Sequence, residues 1–214
     1  IGGAVVMNNP LYTEHELAYQ LNDSDSKVLV TLDMLFPMAM KLKATTKLEH
    51  VVICRIGDYL PEALKPLFPP VEFEKQEGVH LFMDLLNAQS GAPVANAAGW
   101  DDVGALMYTG GTTGVSKGVM LTHYNVVNNG KAIGDCMDLS TADKLMIQVP
   151  MFHCFGMVLA MTASMTHGTT MCPIPYFSPR VSLDCINREK ITAFHGVPTM
   201  FIAMLEHPDF EKTD

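Results

Sequence analysis

The second half of the chain alternates short apolar segments with helix-forming segments, and this alternation constrains the fold more than any other feature. Segments typical of buried strands and of helices follow each other at 145–149, 155–166, 169–174, 179–189, 191–194 and 198–206. Gly168 is placed to end one helix, and Pro179 and Pro198 are placed in the first turns of two others. Strands that alternate with helices of about ten residues indicate βαβ units. The sequence therefore predicts an α/β fold with mostly parallel sheets flanked by helices.

The first half continues the same pattern less regularly. Thr13 and Glu16 form a capping-box pattern, which predicts a helix with Leu17 and Leu21 on one face. Further strands are predicted at 1–7, 28–32, 51–53 and 103–108, and further helices at 34–42, 79–86 and 123–136. Thr122 is placed to cap the last of these helices.

Composition and charge restrict the class of protein. The chain has 214 residues, of which 48% are hydrophobic and 17% charged, as expected for a globular chain with a sizeable core. The net charge of −9 argues against nucleic acid as a partner, because phosphate backbones bind basic surfaces. The longest apolar run, from Phe155 to Met165, is too short to span a bilayer.

The five cysteines suggest neither a disulfide framework nor a metal site. They are odd in number, widely spaced and contain no Cys-x-x-Cys pattern. Thiols used in this way are typical of a reducing compartment, so we expect a cytoplasmic protein without a bound structural metal.

Residues 106–119 read Leu-Met-Tyr-Thr-Gly-Gly-Thr-Thr-Gly-Val-Ser-Lys-Gly-Val and have the composition of an anion-binding loop. Glycines allow successive backbone N–H groups to converge on one anion, while hydroxyls and a lysine add donors and positive charge. The stretch contains no carboxylate although the chain is acidic. We therefore expect a polyphosphate to bind through Thr109, Gly110, Gly111, Thr112, Thr113, Gly114, Ser116, Lys117 and Gly118.

Known glycine motifs leave one rival interpretation. The Walker A pattern is absent because Lys117 follows Ser116, and the spacing of the Gly-x-Gly-x-x-Gly fingerprint is absent as well. Residues 114–118 do match Gly-x-Ser-x-Gly, the nucleophile elbow of serine hydrolases, with Asp184 and His195 downstream in a suitable order. The context opposes this reading, because the preceding strand is predicted to end near Tyr108. A nucleotide-binding module without catalysis is a third interpretation.

Residues 109–118, with the core Thr-Gly-Gly-Thr-Thr-Gly-x-x-Lys-Gly, resemble the phosphate-binding signature of the adenylate-forming superfamily, which includes acyl-CoA synthetases, luciferases and peptide-synthetase adenylation domains. Residues 149–156 (Val-Pro-Met-Phe-His-Cys-Phe-Gly) and 196–201 (Gly-Val-Pro-Thr-Met-Phe) resemble later motifs of that superfamily in order and spacing. Residues 9–23 and 207–210 are similar to the fatty acyl-CoA synthetase branch.

The resemblance implies a reaction and roles for individual residues. The family joins a carboxylate to MgATP, giving an acyl-adenylate and pyrophosphate, and then transfers the acyl group to coenzyme A. By this resemblance Thr112, Thr113 and Lys117 would contact the β- and γ-phosphates, and His153 would orient the acid, so that His153 and Lys117 are the expected catalytic residues. The implied partners are ATP, Mg²⁺, coenzyme A and a medium- to long-chain fatty acid. A lipid substrate would allow peripheral membrane contact, and the oligomeric state stays open.

The resemblance also implies that residues 1–214 are a partial AMP-binding domain, within the large N-terminal domain of such an enzyme. The family's stretches for adenine, ribose and magnesium, its hinge and its C-terminal domain are absent from this sequence. We therefore expect no ligase turnover from these residues alone.

Overall fold

The computed structural model describes residues 2–74, 76–110 and 116–213, and its helices and strands alternate as the sequence predicts. The strands are β1 Val5–Val6, β2 Val28–Leu32, β3 His50–Cys54, β4 Val79–Leu81, β5 Val103–Thr109, β6 Lys117–Thr122, β7 Lys144–Ile147, β8 Thr170–Pro173 and β9 Ala193–Phe194. The α-helices are α1 Glu14–Asp23, α2 Phe36–Thr45, α3 Phe82–Asn87, α4 His123–Cys136, α5 Ala163–His167, α6 Pro179–Glu189 and α7 Pro198–Leu205. A π-helical segment, Phe155–Thr162, precedes α5, and short 3₁₀ turns lie at Asp33–Leu35, Ile56–Tyr59, Glu62–Leu67 and Phe210–Lys212.

The described strands form three three-stranded sheets, with the orders β1-β5-β6, β2-β3-β4 and β8-β7-β9. The pairs β1–β5, β2–β3, β3–β4, β7–β8 and β7–β9 are all parallel. Parallel neighbours require crossover connections, and α2 between β2 and β3 is one of them. The predicted α/β class with mostly parallel sheets is thus confirmed.

The chain divides into two compact units. The first comprises Asn8–Ala97 and Tyr108–Gly118. Its core lies where α2 packs on β2 and β3 and α1 packs on α2, and its most deeply buried side chains include Leu21, Leu42 and Val51.

The second unit comprises Gly2–Met7, Ala98–Met107 and Val119–Asp214. One of its apolar clusters contains Leu145 and Ile147 of β7, and another contains Met107 of β5 and Met157. Gln148, which follows the central strand β7, links α6 to the segment after β9: the Ser182 hydroxyl donates to Gln148 Oε1 at 2.8 Å, and Gln148 Nε2 donates to the His195 carbonyl at 3.0 Å. No described helix is both long and apolar enough to cross a membrane.

Two predicted helices differ from the structure. The helix predicted at 79–86 is wrong in its first turn, because Val79–Leu81 forms β4 and the helix begins only at Phe82. Val79 is buried and pairs with Val51, so pairing with β3 and burial outweigh the local helical pattern. The helix predicted at 155–166 exists, but its first eight residues have π-helical hydrogen bonding. The Thr162 hydroxyl donates to the Met157 carbonyl at 2.9 Å, which spans the five-residue π register.

Candidate functional site

The glycine-rich loop connects β5 to β6, and the structure describes its two ends. Thr109 closes β5 and is exposed, as is the adjacent Gly110, where an added Cβ would meet no atom within 4 Å. On the other side Ser116 precedes β6, and β6 begins with Lys117 and Gly118. The remaining predicted loop residues, Gly111, Thr112, Thr113 and Gly114, lie outside the described residues.

Helix α1 holds both ends of this loop. Tyr19 donates its hydroxyl hydrogen to the Ser116 carbonyl at 3.0 Å, and Tyr108 donates to Asp23 Oδ2 at 2.6 Å. We call these two hydrogen bonds the tyrosine clamp. Tyr19 and Asp23 lie one helical turn apart and so share a face of α1. Tyr19, Asp23 and Tyr108 lie outside the set of site residues predicted from the sequence, although the four-residue spacing of Tyr19 and Asp23 indicates a shared helix face.

The clamp is held on a helix that is capped at its start and packed on one face. Thr13 caps α1 through a capping box, in which the Thr13 N–H donates to Glu16 Oε2 at 2.8 Å. That backbone hydrogen bond is the main cause that lowers the pKa of Glu16. Leu17 and Leu21 bury the opposite face of α1 in the core of the first unit. The helix that holds the loop ends is therefore itself packed on the core through its other face.

Tyr108 is suited to be a constant hydrogen-bond donor. Burial raises the pKa of the Tyr108 phenol, and the hydrogen bond to Asp23 raises it further, so the hydroxyl keeps its proton. Its ring also lies against Gly118, where an added Cβ would approach Tyr108 Cζ to 3.0 Å. Glycine at 118 thus allows the ring to close over the start of β6.

Lys117 supplies a positive charge between the two held positions Ser116 and Gly118. Its side chain is exposed, and within the described ranges its ammonium forms no ion pair. A compact ammonium on a fixed backbone is suited to bind an anionic oxygen.

His153 lies in the turn between β7 and the π-helical segment, in the second unit, and is exposed. Its Nδ1 accepts the Phe155 N–H at 3.1 Å, and the Cys154 thiol lies 3.7 Å from the same nitrogen. Since Nδ1 accepts, the hydrogen-bond pattern assigns the neutral tautomer with the proton on Nε2. The ring can therefore present an N–H donor to a ligand oxygen.

Gly156 positions the turn that carries His153. The Gly156 N–H donates to the His153 carbonyl at 3.0 Å. A Cβ at Gly156 would lie 2.4 Å from the Pro150 carbonyl oxygen, closer than any side chain tolerates. Only glycine lets the turn fold back onto the first residues of the π-helical segment.

The rival hydrolase interpretation lacks the required geometry. Ser116 is followed by strand β6, whereas a nucleophile elbow requires a helix directly after the serine. His195 Nε2 donates to the Leu159 carbonyl at 2.9 Å, so this nitrogen is already bonded to the backbone. Burial also lowers the pKa of His195. Asp184 lies within α6, 3.8 Å from Arg180 Nε, and not on a loop after a strand. The described geometry therefore does not support a Ser-His-Asp triad.

Within the part of the chain that the structure describes, no three His, Cys, Asp or Glu side chains are placed to hold one metal ion. All five cysteines are free thiols.

Comparison with known proteins identifies the family. Residues 1–214 match the family model for AMP-binding enzymes. The chain is 38% identical over 224 residues to the long-chain-fatty-acid–CoA ligase of Bacillus subtilis (strain 168), covering 100% of this chain and 40% of that protein. It is 37% identical over 221 residues to the acyl-CoA ligase sidI of Aspergillus fumigatus, covering 97% of this chain and 35% of that ligase.

A solved structure supports the same assignment. The crystal structure of ATP-bound MatB from Rhodopseudomonas palustris superposes with a TM-score of 0.77 at 27% identity, covering 97% of this chain and 37% of that one. The chain spans 40% of the length of the Bacillus ligase and 35% of the length of the Aspergillus ligase. Because the family model matches all 214 residues, the chain belongs to the AMP-binding enzyme family.

Proposed function

We propose that this sequence is part of the N-terminal domain of an ATP-dependent acid–CoA ligase, in which the loop from Thr109 to Gly118 binds the β- and γ-phosphates of ATP. The observation that carries the proposal is the exposed Lys117 ammonium at the end of a glycine-rich loop whose two ends are both held by α1. In keeping with the family, residues 1–214 would be one partial AMP-binding domain.

The proposed reaction has two steps. A carboxylate oxygen of the acid attacks the α-phosphorus of ATP, and the bond from that phosphorus to pyrophosphate breaks. The thiolate of coenzyme A then attacks the acyl carbon and AMP leaves. Charge accumulates on the leaving pyrophosphate in the first step, where the Lys117 ammonium and the loop donors would stabilise it.

Mg²⁺ would arrive with ATP and neutralise part of the phosphate charge. The described residues fit ATP better than they fit a metal ion alone, because they offer an exposed ammonium and hydroxyls but no cluster of carboxylates. The free thiols support a reducing compartment such as the cytoplasm.

We propose that the acid is a medium- to long-chain fatty acid, because the Bacillus relative is named a long-chain-fatty-acid–CoA ligase. Pyrophosphate release by the ligase that carries this sequence, measured over short-, medium- and long-chain fatty acids and benzoate, tests the assignment. Preference for the longer fatty acids is expected, and preference for benzoate would overturn the substrate class while leaving the reaction in place.

His153 is proposed to donate its Nε2–H to an oxygen of the acid or of the α-phosphate. Replacing His153 with alanine removes a hydrogen bond to a charged group, so we expect kcat/KM for the acid to fall roughly 10- to 100-fold. His153→Gln keeps an N–H donor at similar reach and is expected to lose less. Cys154→Ala is the matched control, since it removes only the neighbouring thiol. Equal activity of His153→Ala and Cys154→Ala would contradict the role of His153.

Residues 1–214 alone are expected to form no acyl-CoA. Catalysis requires contacts to every part of the transition state, and this chain covers only 40% of the Bacillus ligase. Incubation with a fatty acid, MgATP and coenzyme A, followed by chromatography, tests this with the Bacillus ligase as positive control. Turnover by the 214-residue chain would contradict this expectation.

A further inference from the structure

We propose that Tyr19, Asp23 and Tyr108 are positioning residues for ATP, acting through the two ends of the glycine-rich loop. The proposal rests on the proposed function, in which this loop binds the phosphates. None of the three is proposed to contact ATP. They would hold Thr109 on one side and Ser116 with Lys117 on the other at the separation that the phosphates require.

The clamp joins parts of the chain that are far apart in sequence. Tyr108 and Asp23 are separated by 85 residues, and Tyr19 and Ser116 by 97. Both hydrogen bonds lead to one face of α1, and they reach opposite ends of the same loop. They therefore fix the distance between the loop ends as well as their attachment to the first unit.

Lys117 is constrained on both sides by these contacts. The carbonyl of the preceding Ser116 accepts from Tyr19, and the following Gly118 lies under the ring of Tyr108. The backbone of Lys117 is thus held, while its side chain stays exposed. A held backbone restricts where the ammonium can reach, as expected for a group that must meet one phosphate.

The energetic consequence concerns ATP more than the other substrates. When loop ends are ordered in advance, binding does not have to order them, and affinity is higher. Losing the clamp transfers that ordering cost to the ATP-binding step. A residue that only stabilises the fold behaves differently, since its loss lowers the melting temperature and the active fraction, which reduces kcat and leaves KM for ATP unchanged.

The test uses Tyr108→Phe and Tyr19→Phe in the full ligase. Each substitution removes one hydroxyl and keeps the ring. We expect each to raise KM for ATP roughly 3- to 10-fold, as for the loss of one hydrogen bond, with the double variant near the product of the two effects. KM for the acid and for coenzyme A is expected to stay within about twofold. Tyr124→Phe is the control, because Tyr124 is an exposed tyrosine on α4.

Two substitutions at Asp23 distinguish its role as a hydrogen-bond acceptor from a role of its negative charge. Asp23→Asn retains an oxygen that can accept from Tyr108 and is expected to restore KM for ATP to within about twofold of the wild type. Asp23→Ala removes the acceptor and is expected to match Tyr108→Phe. Combining Asp23→Ala with Tyr108→Phe is expected to add little, because both changes remove the same hydrogen bond.

Tryptic cleavage after Lys117 gives a readout that does not depend on activity. Clamp variants are expected to be cut there several-fold faster than Tyr124→Phe, and ATP is expected to slow the cut. Unchanged KM for ATP with unchanged cleavage would overturn the clamp, as would a loss of kcat that follows a lower melting temperature. If Lys117→Ala weakens ATP binding while the tyrosine variants do not, only the clamp fails. If Lys117→Ala also has no effect, both the phosphate site and the clamp fail.

Discussion

Replacing Lys117 with alanine is expected to lower kcat/KM for ATP in the ligase roughly 100- to 1000-fold. Acid-dependent pyrophosphate release at varied ATP concentration measures this effect. The loss is large because the ammonium would stabilise charge that develops on the leaving pyrophosphate. Such a contact is stronger in the transition state than in the ground state, so kcat is expected to fall along with kcat/KM.

Two further lysine variants make the result specific. Lys131→Ala is the matched control, because Lys131 is an exposed lysine on α4 whose ammonium lies 2.7 Å from Asp135 Oδ2. It is expected to change activity by less than about twofold, as is typical of a surface ion pair. Lys117→Arg keeps the charge but changes its geometry, so an intermediate loss is expected. A Lys117→Ala enzyme that behaves like Lys131→Ala would contradict phosphate binding by this residue.

Replacing Gly156 with alanine is expected to destabilise the fold strongly. The new Cβ would lie 2.4 Å from the Pro150 carbonyl oxygen and 2.8 Å from Met151 Cα, and both are backbone atoms that cannot rotate away. Overpacking against backbone is expected to cost about 3 kcal/mol, the upper end of the usual range, which corresponds to a fall in melting temperature of about 6–12 °C for a domain of this size. Thermal unfolding of the ligase measures it.

Gly3→Ala is the control for Gly156→Ala. A Cβ at Gly3 meets no atom within 4 Å, so this variant is expected to melt within about 2 °C of the wild type. Because Gly156 also fixes the turn of His153, a folded Gly156→Ala enzyme is expected to show raised KM for the acid. Wild-type melting and wild-type KM together would show that the turn does not need glycine.

The helices with strong end signals could be predicted from the sequence. The capping box of Thr13 and Glu16 opens α1, and Thr122 opens α4, which ends at Cys136 as predicted. Gly168 ends α5 with a φ of 67°, in the left-handed region that glycine favours. These features depend on neighbouring residues, so local sequence determines them.

Features that depend on distant residues could not be predicted in this way. Val79–Leu81 becomes a strand because β3 offers a parallel edge, and nothing within 79–86 specifies that partner. A second difference is local: Phe155–Thr162 has π-helical hydrogen bonding where a regular helix was predicted, and Gly156 packs closely on Pro150, six residues before it.

In the candidate site, too, the features set by local sequence could be predicted and the contacts between distant residues could not. The composition of the loop indicated an anion-binding role, and the position of His153 in its motif indicated a role for the histidine. The clamp was missed because its hydrogen bonds connect residues 85 and 97 positions apart. No local pattern relates Tyr108 to α1, although the spacing of Tyr19 and Asp23 placed both on one face of that helix.

Labelling with an acyl phosphate of ATP tests phosphate binding at the loop most directly. A lysine amine near the terminal phosphate attacks the acyl carbonyl of this reagent, the anhydride bond breaks, and ATP leaves while the acyl group stays on the lysine. We predict that Lys117 is labelled in the ligase, that excess ATP prevents the labelling, and that Tyr108→Phe slows it. Labelling spread over other lysines without protection by ATP, with Lys117 unmodified, would contradict the phosphate site.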